Sequence, residues 1–193
     1  MNLLDALDSA VEEFGLRMAQ IQPSDWVRPT PCDDWDVHYL VAHVIGGNRF
    51  AAAVLGGMTS SDAIDEVMSR PQLGSEPMTD WAAASNAQAA AFRSDGRLDR
   101  LVDHPMGMIT GERFAEYRLF DISLHAWDLA RSIDADDELA SELVDDVLAI
   151  VERDPQGLGF GIEALPGAHR IASPQARLLA LTGRSTQSAI ERG

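Results

Sequence analysis

The sequence predicts an all-α fold: a four-helix bundle with at least one long crossover connection, followed by additional C-terminal helices. Apolar residues recur at three- and four-residue steps in several long segments, which is typical of amphipathic helices. Strands do not alternate with these segments, so a parallel α/β sheet is not expected. A chain of 193 residues can bury a full hydrophobic core. We expect a single domain over 1–193, with a bundle core at about 2–132 and a helical extension at about 137–185.

The first helix is expected over residues 2–21, where leucine, alanine, valine and phenylalanine share one face. Pro23 follows it, and Asp33 or Asp34 is predicted to cap the second helix, because a short carboxylate accepts hydrogen bonds from the first-turn amides. That helix, WDVHYLVAHVIGGNRFAAAVLGG, is expected to stop near two consecutive glycines at 56 and 57.

Residues 58–75 are predicted to be a loop with, at most, a helical turn in SDAIDEVMSR. Thr79 is the expected cap of an alanine-rich third helix, DWAAASNAQAAAFRS. The glycines, proline and short apolar runs of RLDRLVDHPMGMITG indicate an extended crossing or a small hairpin. A fourth helix is expected from about residue 111 to about Ser132.

The fifth helix is predicted in ELASELVDDVLAIVER. An irregular stretch rich in glycine and proline follows. Ser173 is then predicted to cap a last short helix that ends at Gly183. Pro174 occupies its first position, where a missing amide hydrogen is harmless.

The composition excludes several functional classes. The net charge of −16 would repel a phosphate backbone and an anionic bilayer, so neither nucleic acid nor membrane is an expected partner. No segment approaches the ~20 apolar residues of a spanning helix, and MNLLDALDSAVEEF does not have the pattern of a signal peptide. A single cysteine excludes an intrachain disulfide. We therefore expect a cytoplasmic protein.

An acid and an imidazole share one face of the fourth helix. In RLFDISLHAWDLARS, Asp121 and His125 are four residues apart and therefore project side by side from a largely apolar helix. A buried carboxylate needs a partner, and a divalent cation would provide one, since carboxylate and imidazole are common ligands of zinc or iron. Two structural alternatives remain open: Asp121 hydrogen-bonds His125, or it pairs with Arg118.

His43 favours the metal. It lies in LVAHVIGG on a stripe that should face the core. The structural alternative is a core histidine whose hydrogen bonds are satisfied by the protein alone. The following Gly46 and Gly47 leave open space one turn further on, so a pocket is expected there. Two histidines and one acid, His43, His125 and Asp121, would make a three-ligand site with open positions, as catalytic sites have.

The remaining candidates are expected to have lesser roles. His38 is about 140 degrees round the helix from His43 and is expected to be exposed. Two positions are considered for His104, the mouth of the pocket and a surface loop, and the surface loop is favoured. Asp128 either orients a ligand or pairs with Arg131. Further expectations are a structural or exposed His169 and core positions for Trp35 and Trp127. Cys32 is expected to be a small buried hydrophobe, too far from His43 to share a metal unless the loop folds back.

TPCDDWDVHYLVAHVIGG, DISLHAWDLARS and SPQARLLALTGR together resemble an actinobacterial metal-binding family. This family is related to the N-terminal domain of mycothiol-dependent maleylpyruvate isomerase, within the DinB/YfiT-like superfamily. The resemblance covers nearly the whole chain and implies a DinB-type bundle whose metal ligands match His43, Asp121 and His125.

The resemblance also implies a cofactor and a cosubstrate. The metal is expected to be zinc, with nickel or iron as alternatives, and the cosubstrate a mycothiol-like low-molecular-weight thiol. The implied activity is thiol-dependent transfer to, or isomerisation of, a small electrophile.

The chain departs from the isomerase in two ways. Asp121 stands where the isomerase has glutamate, and the isomerase's C-terminal domain is expected to be missing, so maleylpyruvate isomerisation itself is not expected. Two alternatives remain open: a non-catalytic metal- or ligand-binding bundle, as a monomer or a homodimer, and a scaffold with a vestigial site.

Overall fold

The computed structural model describes residues 1–69, 73–154 and 163–185. It confirms the predicted all-α class: the described chain holds seven α-helices, two short 3₁₀ turns and one two-stranded hairpin. The chain divides into two compact units, Asn2–Asp137 and a second unit of Met1 with Glu138–Gly193. The single domain over 1–193 stays a prediction. No helix in the described ranges combines the length and the apolar character that a membrane span needs.

Four helices form the bundle of the first unit. These are α1 (Leu3–Met18), α2 (Val37–Leu55), α4 (Pro77–Phe92) and α5 (Gly111–Ser132). α1 packs on α4 and α5, and α2 packs on the same two helices. Their shared core contains buried aromatic and branched residues, among them Phe14, Leu40, Ile45, Phe92, Phe114, Leu119, Ile122 and Trp127.

The capping residues differ in part from those predicted. α2 begins at Val37 and is capped by Asp36, whose side chain accepts from the Tyr39 amide at 2.8 Å. Asp33 and Asp34 do not cap it, because they lie in a preceding turn where Asp34 has φ 63°. α4 begins at Pro77 rather than after Thr79, because proline is well suited to the first helical turn.

The connections between α2, α4 and α5 carry further structure. The segment predicted to be a loop contains α3 (Ser60–Met68), which is capped by Thr59. The predicted hairpin is present as β1 (Leu101–His104) paired antiparallel with β2 (Gly107–Thr110). A side-chain oxygen of Asp103 in β1 accepts from the Ser60 amide at 2.8 Å, so the hairpin is bonded to the start of α3.

The second unit contains α6 (Ser141–Arg153), a 3₁₀ turn at Ala168–Arg170 and α7 (Pro174–Leu181). α6 packs against α7. Ser173 and Pro174 begin α7 as predicted, although the Ser173 side chain makes no capping hydrogen bond. Residues 155–162 and 186–193 fall outside the described part. Part of the irregular stretch predicted after the fifth helix therefore also lies outside it.

Candidate metal centre

The packing of α2 against α5 brings the three predicted ligands together. His43 Nε2 lies 3.3 Å from Asp121 Oδ1, and His125 Nε2 lies 3.4 Å from the same oxygen. One ligand atom from each residue lies within 4.8 Å of the other two. Two imidazole nitrogens and one carboxylate oxygen are a donor set that zinc accepts, with a coordination position left for another ligand. These residues therefore fit a metal, and their role as ligands stays a prediction.

The three side chains are unequally exposed. The His43 side chain is 38% exposed, whereas those of Asp121 and His125 are 13% and 10% exposed. The cluster is therefore open to solvent on the α2 side and closed on the α5 side. A small molecule would approach it past His43.

Arg118 binds the other oxygen of the Asp121 carboxylate. Its NH1 donates to Oδ2 at 2.7 Å, while Oδ1 remains directed at the two histidines. The sequence left open whether Asp121 bonds to His125 or to Arg118. In the structure Asp121 interacts with both residues, through different oxygens. Because one oxygen is held by the guanidinium, only the other is available to a cation.

The Arg118 guanidinium is itself fully engaged inside the bundle. Nε donates to Gln88 at 3.0 Å, and NH2 donates to Asn48 at 2.7 Å and to the Val44 carbonyl at 3.2 Å. The Arg118 side chain is only 7% exposed. With the contact to Asp121, each guanidinium nitrogen has an acceptor, as a buried charge requires, so the position of the guanidinium is tightly fixed.

Gly47 makes room for this arginine. A Cβ atom at position 47 would lie 2.7 Å from Arg118 Cζ and 2.9 Å from NH2, closer than real contacts allow. The sequence suggested that Gly46 and Gly47 leave open space; beside Gly47, part of that space holds the guanidinium. Both glycines also line a cavity, so a pocket is present where it was predicted.

Asp128 contacts His125, which is the arrangement that the first of its two predicted roles requires, and that role stays a prediction. Asp128 Oδ2 lies 2.9 Å from His125 Nδ1, and the Asp128 side chain is fully buried. A proton on Nδ1 donated to this carboxylate leaves Nε2 free as an acceptor or metal ligand. The ring is thereby held with its Nε2 facing the cluster.

Cys32 lies closer to the site than a continuous helix would place it, because the preceding loop folds back, and it contacts His125 and Asp128. Its Sγ lies 3.4 Å from Asp128 Oδ2 and 3.9 Å from His125 Nδ1. The chain before α2 folds back rather than extending the helix axis: the Thr30 amide donates to the Trp35 carbonyl at 2.9 Å. Cys32, His125 and Asp128 thus form a second group of possible ligands, on the other side of the His125 ring.

Trp35 covers the two imidazoles. Its ring centroid lies 4.8 Å from that of His43 and 5.6 Å from that of His125. It was predicted to be a core residue and is instead only half-buried against the site, because the same turn that returns Cys32 also positions it. Trp127 is a core residue as predicted, with 2% exposure.

Charge interactions set the protonation states of the metal-free cluster. Burial alone would raise the pKa of Asp121, but His43, Arg118 and His125 outweigh it and hold that pKa well below its usual value. Burial alone would lower the pKa of His125, but Asp121, Asp128 and Cys32 outweigh it and raise that pKa well above its usual value. Since a ligating imidazole must be neutral, a cation binding here would displace a proton.

The other histidines lie outside the cluster. His38 is exposed, as predicted, and His169 is exposed in the 3₁₀ turn of the second unit. His104 is in β1, not in an open loop, and its ring packs on Phe114 and Tyr117 with centroids 5.0 and 5.3 Å away. Burial lowers the pKa of His104, and the positive charge of Arg118 adds to this effect against the opposing Asp103.

A cavity of about 390 Å³ adjoins the cluster at His43. Its walls come from the 38–50 segment of α2, the 64–68 segment of α3 and Pro105 at the hairpin turn. This volume is within the usual range of small-molecule pockets. The hydrogen bond between Asp103 and Ser60 joins two of these walls.

Comparisons with known proteins identify the fold and the family. Two uncharacterized Mycobacterium tuberculosis proteins, MT0763 and Rv0738, are each 30% identical over 200 residues, covering 97% of this chain and all of theirs. Crystal structures of mycothiol-dependent maleylpyruvate isomerase share the fold. A histidine-to-alanine mutant aligns with TM-score 0.67 at 13% identity, covering 96% of this chain and 90% of that one. Another isomerase structure aligns with TM-score 0.62 at 12% identity, with 97% and 92% coverage.

This coverage contradicts the expectation that a large C-terminal part of the isomerase has no counterpart here. The fold similarity extends over nine-tenths of the isomerase chain, including the region after the bundle. Residues 7–130 match the family described as Mycothiol maleylpyruvate isomerase N-terminal domain. The match spans α2 and nearly all of α5, and with them the whole three-residue cluster. The chain therefore belongs to the mycothiol maleylpyruvate isomerase N-terminal domain family.

Proposed function

We propose that this protein is a divalent-metal-dependent enzyme that uses a mycothiol-like thiol to transfer to, or isomerise, a small electrophile. The observation that carries the proposal is the convergence of His43, Asp121 and His125 beside an open cavity. Membership of a family named for a mycothiol enzyme supports the thiol. A reduced low-molecular-weight thiol is a cytoplasmic cosubstrate, so we also propose that the protein acts in the cytoplasm.

The metal would be held by His43, Asp121 and His125. Zinc is the first choice for this donor set, with nickel or iron as alternatives. A divalent cation at this position would lower the pKa of a thiol bound beside it, which supplies a nucleophile at neutral pH. The thiol is expected to come from solution, because Cys32 lies on the Asp128 side of His125 and away from the cavity wall.

The surrounding residues would keep the proposed ligands in the orientation and protonation state that metal binding requires. Arg118 keeps one Asp121 oxygen occupied, so that the carboxylate contributes a single ligand atom. Asp128 retains the His125 proton on Nδ1 and directs Nε2 inward. Trp35 covers the two rings, which limits access by water from its side.

The proposed reaction is thiol addition to a double bond conjugated with a carbonyl group. A carbon–sulfur bond forms, the double-bond electron pair moves towards the carbonyl oxygen, and the proton lost from sulfur ends on the neighbouring carbon. Retention of the sulfur gives the transfer product. If instead that carbon is not protonated, rotation about the former double bond is followed by expulsion of the sulfur, which re-forms the double bond and gives the isomer, and the thiolate takes back its proton.

Metal analysis and turnover test the proposal together. The purified protein is expected to bind about one divalent ion per chain and to consume mycothiol with an electrophile. His43→Ala and His125→Ala should each lose most of the metal and the turnover. His38→Ala is the matched control for metal uptake, because it removes an exposed histidine of the same helix that lies outside the cluster. Undiminished metal uptake in both site variants would refute the assignment of the ligands.

A second candidate is a non-catalytic metal- or ligand-binding bundle. The ion pair between Arg118 and Asp121 favours it, because it already stabilises the buried carboxylate without a cation. Stoichiometric metal without thiol turnover across a panel of electrophiles would support this candidate. Failure to take up metal after reconstitution would instead indicate a vestigial site.

A further inference from the structure

Among the described residues that line the cavity beside His43, none carries a carboxylate, a guanidinium or an ammonium group. The polar side chains that line it are the two imidazoles of His38 and His43 and the phenol of Tyr39; the remaining lining residues are apolar or glycine. Away from the His43 end, where the proposed metal would lie, a carboxylate in this cavity would lose its hydration and gain no cationic partner. An anionic substrate is therefore poorly matched to these walls.

The arginines behind and beside α2 are already paired. Arg118 lies behind Gly47 and is bound to Asp121, and Arg49 NH2 lies 3.1 Å from Asp80 Oδ1. The chain has 15 basic residues, all of them arginine, so no lysine is available to serve instead. The overall charge of −16 also disfavours the approach of a dianion.

The rim of the cavity exposes apolar surface. Tyr39, Ile64 and Met68 are 54%, 42% and 69% exposed, although each lines the cavity. Covering such surface by an apolar ligand is favourable, and a methionine side chain adapts its shape to what it contacts. These residues give an apolar occupant a contact surface that continues from the interior to the mouth.

We infer that this cavity binds an uncharged electrophile with an apolar body, its reactive carbon placed at the His43 end. The inference rests on the proposed function for its statement that the occupant is a substrate. It departs from a dicarboxylate substrate, for which the described walls offer no partner. The occupant is thus an ester, ketone or similar neutral conjugated carbonyl compound.

Binding is tested with a matched pair of unreactive probes. Diethyl succinate and succinate share a carbon skeleton, and neither can react with a thiol, so binding is read without metal or turnover. Protein-observed NMR titration is expected to show the diester binding at least about tenfold more tightly than the dianion, since burying an unpaired carboxylate is costly. Equal binding, tighter succinate binding or no binding of either probe would overturn the inference.

A charge placed in the wall provides the second test. Ile64→Arg should weaken diethyl succinate binding by about tenfold, because the ligand would contact a guanidinium in place of an apolar side chain. Met68→Arg, at a more exposed position, is expected to act in the same direction. Ser61→Arg adds the same charge to an exposed position of α3 outside the cavity and should leave binding unchanged. An equal effect of Ile64→Arg and Ser61→Arg would contradict the assignment.

Turnover separates this inference from the proposed function. With mycothiol, diethyl maleate is expected to react faster than maleate at equal concentration, after subtraction of the uncatalysed rates. Preference for maleate would overturn the inference and leave the thiol-dependent enzyme standing. Diester binding without any turnover would preserve the inference about the cavity and count against the enzyme.

Discussion

At the scale of single residues, the site depends on how Asp121 and His125 divide their atoms between partners. One oxygen of the Asp121 carboxylate accepts a hydrogen bond from Arg118, and the other oxygen faces the histidines. His125 gives Nδ1 to Asp128, while its Nε2 faces Asp121. Each of these two predicted ligands is therefore held by a group that is not itself a predicted ligand. Substitutions at those orienting groups should alter metal binding without removing a ligand.

Asp128→Asn is the most direct substitution of this kind. Asparagine keeps the size of the side chain but removes the charge that holds the proton on His125 Nδ1. We expect zinc affinity to fall by about 10- to 100-fold, as measured by competition with a chromophoric chelator. Asp145→Asn, in an exposed position of α6, is the control and should bind zinc normally. Unchanged affinity in Asp128→Asn would show that the contact does not orient the ligand.

Gly47 and Arg118 permit a double-mutant cycle. Gly47→Ala forces the new methyl group against the guanidinium and is expected to destabilise the protein by about 1–3 kcal/mol, as over-packing does. Arg118→Met leaves the Asp121 carboxylate without its guanidinium partner and should lower the free energy of unfolding by about 3–5 kcal/mol. In the Arg118→Met background the cost of Gly47→Ala should become small, because the steric conflict is gone. Urea denaturation measures all four free energies, and additive costs would contradict the proposed contact.

At the scale of elements, the hairpin and α3 form walls of the cavity although neither belongs to the four-helix core. Asp103 bonds the hairpin to the start of α3, and His104 packs the hairpin on α5 through Phe114 and Tyr117. These contacts fix the position of Pro105, which lines the cavity. The stability of the hairpin should therefore depend on the protonation of His104.

Because of His104, the stability of the hairpin is expected to fall as the pH falls. Burial lowers its pKa in the folded protein, so the unfolded chain binds its proton more readily. The contribution of neutral His104 is fully present above the unfolded pKa of about 6.5 and is lost as the pH falls from there through the folded pKa. His104→Phe keeps a ring and should reduce the decline in unfolding free energy below about pH 6.5. Identical pH profiles for the two proteins would refute this assignment.

At the scale of the whole molecule, a bound cation should stabilise the folded chain. Zinc at a free concentration about 100 times its Kd is expected to add about 2.7 kcal/mol, because it binds the folded state selectively. Calorimetry of chelator-treated and zinc-loaded protein measures the resulting rise in Tm. His43→Ala should abolish the rise, whereas His38→Ala should retain it. A Tm indifferent to zinc in the wild-type protein would contradict a metal centre at this position.

Much of the helical core could be predicted from the sequence. The periodicity of apolar residues indicated α1, α2 and α5, and the i, i+4 spacing of Asp121 and His125 placed them on one face. α3 is longer than the single helical turn expected in its segment. Its nine residues carry many exposed polar groups and only Ala63 is buried. Its signal therefore resembled that of a loop.

The environment of the candidate site was less predictable. The nearness of Cys32 and Trp35 depends on the turn before α2, including the positive φ of Asp34, and residue spacing does not encode such a reversal. The full set of Arg118 acceptors depends on three helices meeting, and sequence distance does not reveal which polar side chains face each other. The candidate ligands could therefore be chosen from the pattern, and their role stays a prediction, whereas the contacts around them required the fold.

The fit between Gly47 and Arg118 has a consequence for how this protein can vary among species. The arginine occupies the volume that any side chain at position 47 would need, so the two positions cannot change independently. A homologue with alanine or serine at position 47 is expected to carry a shorter or uncharged residue at position 118, and to balance the buried acid by other means. Paired substitution at these two sites would record their contact in the evolutionary history of the family.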